Sequence, residues 1–131
     1  MIEPIIYLGI DWGASKIGLA IGDSQTKLAL PYGRAANWSE VEKIIQREKI
    51  DQLIIGWPRH LADQTADPHP GWQYFVDQAE ASGYPVHLVD ERLTTAAADR
   101  LINHHKAAAD QDAIAAMLIL QSFLDNYAAH H

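Results

Sequence analysis

With 131 residues, 48% of them apolar, the chain can bury one sizeable core but is too short to divide comfortably into two, so a single domain over residues 1–131 is expected. The absence of cysteine excludes disulfides, thiolate metal sites and cysteine nucleophiles, and leaves any catalysis to oxygen and nitrogen ligands. A formal net charge of -7 opposes a polyanionic partner at long range, unless the carboxylates gather around bound cations and the basic residues line one groove.

No window approaches the roughly 18 uncharged apolar residues that a transmembrane helix needs. The opening MIEPIIYLGID lacks the basic region and cleavage site of a signal peptide, so a cytoplasmic protein with no membrane partner is expected. Residues 5–10 form a near-continuous apolar run, the mark of a central strand covered on both faces, and Asp11 ends it. After the turn residues Trp12, Gly13 and Ala14, residues 16–21 read as a second strand and residues 27–30 as a third, together an antiparallel meander. Ser39 is placed to cap a helix, with Glu42 completing a capping box and Val41, Ile44 and Ile45 forming an apolar stripe that ends near Lys49. Residues 52–56 read as the fourth strand, residues 57–71 as an irregular loop, and residues 72–81 as a helix stopped by Gly83. A fifth strand over residues 86–89 completes a βαβ unit with parallel strands, whose C-terminal ends then lie together. Thr94 or Thr95 is placed to cap a helix to about His104, and Asp110 to cap a last one over residues 111–127. The expected class is α/β: a five-stranded mixed sheet, three-strand meander plus βαβ, flanked by helices.

Three acids stand out. Asp11 directly follows a buried strand, where ligand sites of open α/β sheets collect; a turn-forming Asp before Gly13 is the alternative. Glu91 follows the strand at residues 86–89, and solvated charge ahead of a helix cap is its alternative. Asp112 has helical spacing with Ala115, Ala116, Ile119 and Phe123, which puts a charge on the stripe expected to face the core; a favourable place in the helix dipole would serve equally on the outer face. Carboxylates converging on one sheet edge repel each other unless they share a cation, and oxygen-only ligation favours Mg²⁺ or Mn²⁺. Two such ions ~4 Å apart suit in-line phosphodiester displacement.

Three stretches, LGIDWGASKIGLAIGD, VDERLTTAAA and DAIAAMLILQSFLD, resemble in order and spacing the YqgF/RuvX family of RNase H-like Holliday junction resolvases and pre-16S rRNA nucleases, over nearly the whole chain. The middle stretch is the most specific. The resemblance implies an RNase H-like fold with Asp11, Glu91 and Asp112 as catalytic, metal-binding acids, and Ile54, Ile55, Gly56, Trp57 and Pro58 on the strand and loop beside them. It implies nuclease action on the 5′ end of small-subunit ribosomal RNA or, in some lineages, on branched DNA, hence a nucleic-acid partner, structured RNA being favoured. A monomer or weak homodimer is expected. The chain departs from the family at Gly56-Trp57-Pro58 and RHLADQTADPHPG, where relatives usually carry Gly-Leu-Pro and a loop containing Asp-Gly. It departs again at His104-His105-Lys106, where relatives are often rich in Lys and Arg.

Lys16, Arg92, Thr94 and Thr95 are the candidate substrate contacts. Each has an ordinary alternative: a solvated strand residue for Lys16, a structural ion pair with Asp90 for Arg92, helix caps for the threonines. Trp57 and Trp72 flank the loop and are candidates for stacking on bases, with partial burial against the sheet as the default. Two other functions compete. The Gly9-Ile10-Asp11-Trp12-Gly13 turn resembles the phosphate loop of the sugar-kinase superfamily, but such proteins clamp a nucleotide between two domains. The acidic balance and altered loop suit a non-catalytic nucleic-acid-binding homologue, against which the retained carboxylates speak.

Overall fold

A computed structural model describes residues 3–57, 69–90 and 108–130. The elements are β1 (Ile6–Trp12), β2 (Ile17–Asp23), β3 (Ala29–Ala35), α1 (Trp38–Arg47), β4 (Gln52–Trp57), α2 (Pro70–Ala81), β5 (Val86–Asp90) and α3 (Ala108–His130). They build one five-stranded sheet of order β3-β2-β1-β4-β5. The meander is antiparallel, and β1 pairs with β4 and β4 with β5 in parallel, as expected from the sequence. The third strand lies later than its sequence pattern, because its extent follows its pairing with β2, from Gly22↔Ala29 to Ile17↔Ala35 with one extra residue at Tyr32, rather than its own apolar content.

The central position of β1 explains its unbroken apolar run. Leu8 and Ile10 point into a core shared with Val41, Ile44 and Ile45 of α1 and Trp72, Phe75, Val76 and Ala79 of α2. Tyr7, on the other face, joins Ala20, Ile54, Val89 and the α3 residues Ala116, Ile119, Leu120 and Leu124. His87 of β5 rests its ring 5.0 Å from that of Phe123, and burial pushes its imidazole below the ordinary value of 6.5.

Helix ends depart from the sequence reading in three places, one being α2, which starts at Pro70 with His69 as its cap, so that the expected loop over residues 57–71 loses Pro70 and Gly71 to the helix and Trp57 to β4. The cap of α1 is Asn37, not Ser39: Asn37 Oδ1 accepts from Glu40 N–H at 3.0 Å, and Glu40 Oε1 accepts from Ala36 N–H at 2.7 Å. Ser39 already lies inside the helix. Asn37→Ala is expected to lower stability by about 1 kcal/mol, measured by urea unfolding. The last helix starts at Ala108, so Asp110 lies within it rather than capping it. α2 behaves as expected at its end, with Gly83 at φ +92 beyond the cap residue Ser82. The expected helix from Thr94 or Thr95 to His104 lies outside the described residues. Among the described residues, no helix is long and apolar enough to cross a membrane.

Candidate active site at the carboxyl edge of the sheet

Asp11 lies one residue before the end of β1, opposite Gly18 of β2, and Gly18 lies opposite Arg34 of β3. Residues directly opposite on neighbouring strands share a face, so Asp11, Gly18 and Arg34 form a row on the side that α3 covers. The helix comes down on that row through glycine. A Cβ on Gly18 would lie 2.0 Å from the backbone carbonyl oxygen of Asp112, and one on Gly9 would lie 2.7 Å from Leu120 Cβ and 2.9 Å from the Ala116 carbonyl oxygen. Such separations leave no room for any side chain, so the two glycines let the α3 backbone rest on β1 and β2. Gly18 is thus at once the strand partner of Asp11 and the surface on which Asp112 sits. That double contact brings the first and last acids together, although 101 positions of sequence separate them (112 − 11).

The Asp112 side chain is not buried in the core. It is 36% exposed at the sheet edge, where Oδ2 receives Arg34 Nη1 at 3.2 Å. The expected apolar stripe does face inward, with Ala116 and Ile119 buried and Ala115 and Phe123 partly so. No pattern in the sequence marks Arg34 as a site residue. Its partner lies 78 positions away, and only the pairing of β3 with β2 brings them together.

Glu91, Arg92, Thr94 and Thr95 lie outside the described residues, as do His104 and His105. Glu91 follows Asp90, the last residue of β5, whose pair across the ladder is Trp57 at the end of β4. Lys16 is exposed in the turn joining β1 to β2, at the same end of the sheet as Asp11. The two candidate stacking tryptophans differ. Trp72 is buried, and its indole N–H donates to the Gly56 carbonyl at 3.2 Å, which removes it from contact with a substrate. Trp57 is 43% exposed.

Among the described residues no group of three or more His, Asp or Glu forms a metal cage. Asp11 and Asp112 supply two carboxylates on one face at one edge. Their donors are all oxygen, and the positive charge on Asp112 is that of a half-exposed arginine. This donor set fits a hard divalent cation, because oxygen ligands of like charge are stabilised by a shared positive ion.

The strand order, the acid on the central strand and the second acid on a helix laid across it define an RNase H-like fold. Solved structures of Thermus thermophilus RuvC share it. One aligns with a TM-score of 0.58 at 10% identity, covering 94% of this chain and 97% of that one; the other, a complex with Holliday junction substrate, aligns with 0.57 at 13%, covering 93% and 96%. The profile of the family described as "RuvX: Holliday junction resolvase" matches residues 5–126. Relatives named "Putative pre-16S rRNA nuclease" include one from Bordetella pertussis, 34% identical over 125 residues covering 90% of this chain and 92% of that protein, and one from Opitutus terrae, 36% identical over 132 residues covering 90% of each. The chain belongs to the RuvX family of nucleases.

Proposed function

We propose that this protein is a divalent-metal-dependent nuclease that hydrolyses phosphodiester bonds in maturing the 5′ end of pre-16S ribosomal RNA. Asp11, Glu91 and Asp112 hold Mg²⁺ or Mn²⁺, two ions in the working site. The observation that carries this reading is the Gly18 contact, which supports a common place for Asp11 and Asp112 at an edge open to a polymer. The substrate is taken from the relatives named for pre-16S rRNA. A second reading, cleavage of branched DNA, is favoured by the description of the matching family.

When bound, a hard divalent ion supplies positive charge against the negative charge that develops on the attacking and departing oxygens. Asp11 and Asp112 orient that charge from the sheet and the helix, and Glu91 completes the set after β5. Lys16 and Arg92 meet neighbouring phosphates, and Thr94 and Thr95 contact the backbone as weaker donors. An acidic chain needs such local cations, since its overall field repels RNA.

Trp57 offers an exposed ring at the end of β4, one position beyond the Asp11 level on the neighbouring strand and, by strand alternation, on the other face of the sheet. Stacking of an unpaired base there predicts that Trp57→Ala weakens single-stranded RNA binding about tenfold while Trp57→Phe keeps most of it, read by fluorescence anisotropy. The deciding experiment is a labelled panel containing a ribosomal-RNA precursor fragment and a four-way DNA junction, with Mg²⁺ or Mn²⁺. Cutting of the RNA alone supports the first reading and cutting of the junction alone the second. No cutting by folded, metal-loaded protein overturns both in favour of a binding protein.

A further inference from the structure

We propose that Arg34 is a built-in cation of this site, holding Asp112 while no divalent ion is bound and turning to a substrate phosphate oxygen once an ion takes Asp112. The inference rests on the reading of Asp11 and Asp112 as the metal-binding acids.

Three observations lead to it. Arg34 stands in the same cross-strand row as Gly18 and Asp11, so its position is set by the sheet. Its guanidinium reaches Asp112 Oδ2 through Nη1 at 3.2 Å, while the side chain is 32% exposed. Of the five N–H donors of an arginine, that contact engages one nitrogen, and the exposed remainder lies at the edge where a polymer would cross. β3 is also an outer strand of the sheet, so no further strand stands between Arg34 and an arriving phosphate.

An ion pair exposed to this degree is screened by water and easily exchanged. A divalent ion offers Asp112 twice the charge and displaces the guanidinium. The freed fork then meets an anion whose geometry it matches, because planar guanidinium groups pair with phosphate oxygens through parallel hydrogen bonds. The exchange keeps Asp112 paired before the metal arrives, and gives a chain with net charge -7 a phosphate contact at the point of cleavage. A purely structural pair would act differently, holding the start of α3 over β2. That task is already met by the Gly18 contact and by Ala116 and Leu120 of α3, which share a buried cluster with Ala20 of β2.

The test is calorimetric titration of Mn²⁺ into the whole protein and into Arg34→Gln, Arg34→Lys and Asp11→Asn, with KM and kcat on labelled precursor RNA measured at saturating metal. The expected result for Arg34→Gln is Mn²⁺ binding tightened roughly tenfold, because a repelling charge and a competing partner are gone, with KM raised several-fold and kcat changed less. Arg34→Lys should keep metal affinity near that of the parent, since its charge remains, yet still raise KM, since a single ammonium lacks the fork. Unchanged or weakened Mn²⁺ binding in Arg34→Gln, with Asp11→Asn abolishing it, overturns the role of Arg34 and leaves the site reading intact. If Asp11→Asn leaves the titration unchanged, the site reading itself fails. An Arg34→Gln chain that does not fold, shown by its circular dichroism, assigns the pair to structure and also overturns the proposal.

Discussion

Asp11→Asn is expected to lower metal-dependent cleavage at least a thousandfold while the protein stays folded. Asn keeps the shape of Asp and removes the charge, so the strand at the Asp11–Gly18 pair need not change. A thousandfold loss corresponds to about 4 kcal/mol of barrier, the scale of charge stabilisation that a bound metal ion supplies. Asp11 is only partly buried, and Asn keeps its size and an accepting side-chain oxygen, so the melting temperature should hold within a few degrees. Single-turnover cleavage of labelled RNA, with circular dichroism on the same samples, makes the measurement. Full activity in a metal-binding Asp11→Asn protein would remove this residue from the chemistry.

The second large effect is structural and falls on a residue with no functional group. Gly18→Ala puts a methyl carbon where the backbone oxygen of Asp112 lies at 2.0 Å. A backbone carbonyl on a helix does not swing aside as a flexible side chain would, so the start of α3 must lift off β2. Overpacking of this kind costs about 3 kcal/mol, a fall in melting temperature of roughly 10 °C. It also shifts Asp112 relative to Asp11, so metal affinity should fall with stability, seen by thermal melting with and without Mn²⁺. Gly33→Ala is the control, because among the described residues nothing lies within 4 Å of where its Cβ would stand. Equal stability of the Gly18 and Gly33 variants would mean that α3 does not rest on the sheet as described.

The contrast between Asp11 and Arg34 marks where sequence reading ends. Asp11 is legible because a buried strand has a period and an end: the apolar run through Ile10 announces a central strand, and the first charge after it must lie at the sheet's edge. Asp112 is legible as a charge on an apolar stripe, but its partner is not. Helical spacing reports which residues share a face, and says nothing of which strand that face will meet. Arg34 sits in a strand whose sequence, ALPYGRA, has neither clean alternation nor a strong apolar core, and its register depends on the extra residue that β3 carries at Tyr32, opposite the Leu19–Ala20 step of β2. Asn37 was missed for a local reason. Ser39 and Glu42 satisfy the same cap pattern two residues later, and the choice falls to the hydrogen bonds that Asn37 and Glu40 make.

The amino-acid sequence settled the α/β class, the antiparallel meander and the parallel βαβ unit, because apolar periodicity and turn residues are properties of neighbours along the chain. It also determined the family, through three motifs whose order survives in the residues themselves. Packing between distant segments settles that Trp72 is buried while Trp57 is exposed, that Gly9 and Gly18 receive the last helix, and that Arg34 reaches Asp112. Each of these is a contact between segments far apart in the chain. Their free energy is settled by close packing of one surface on another, and a missing side chain on one strand has meaning only once the helix that fills its place is there.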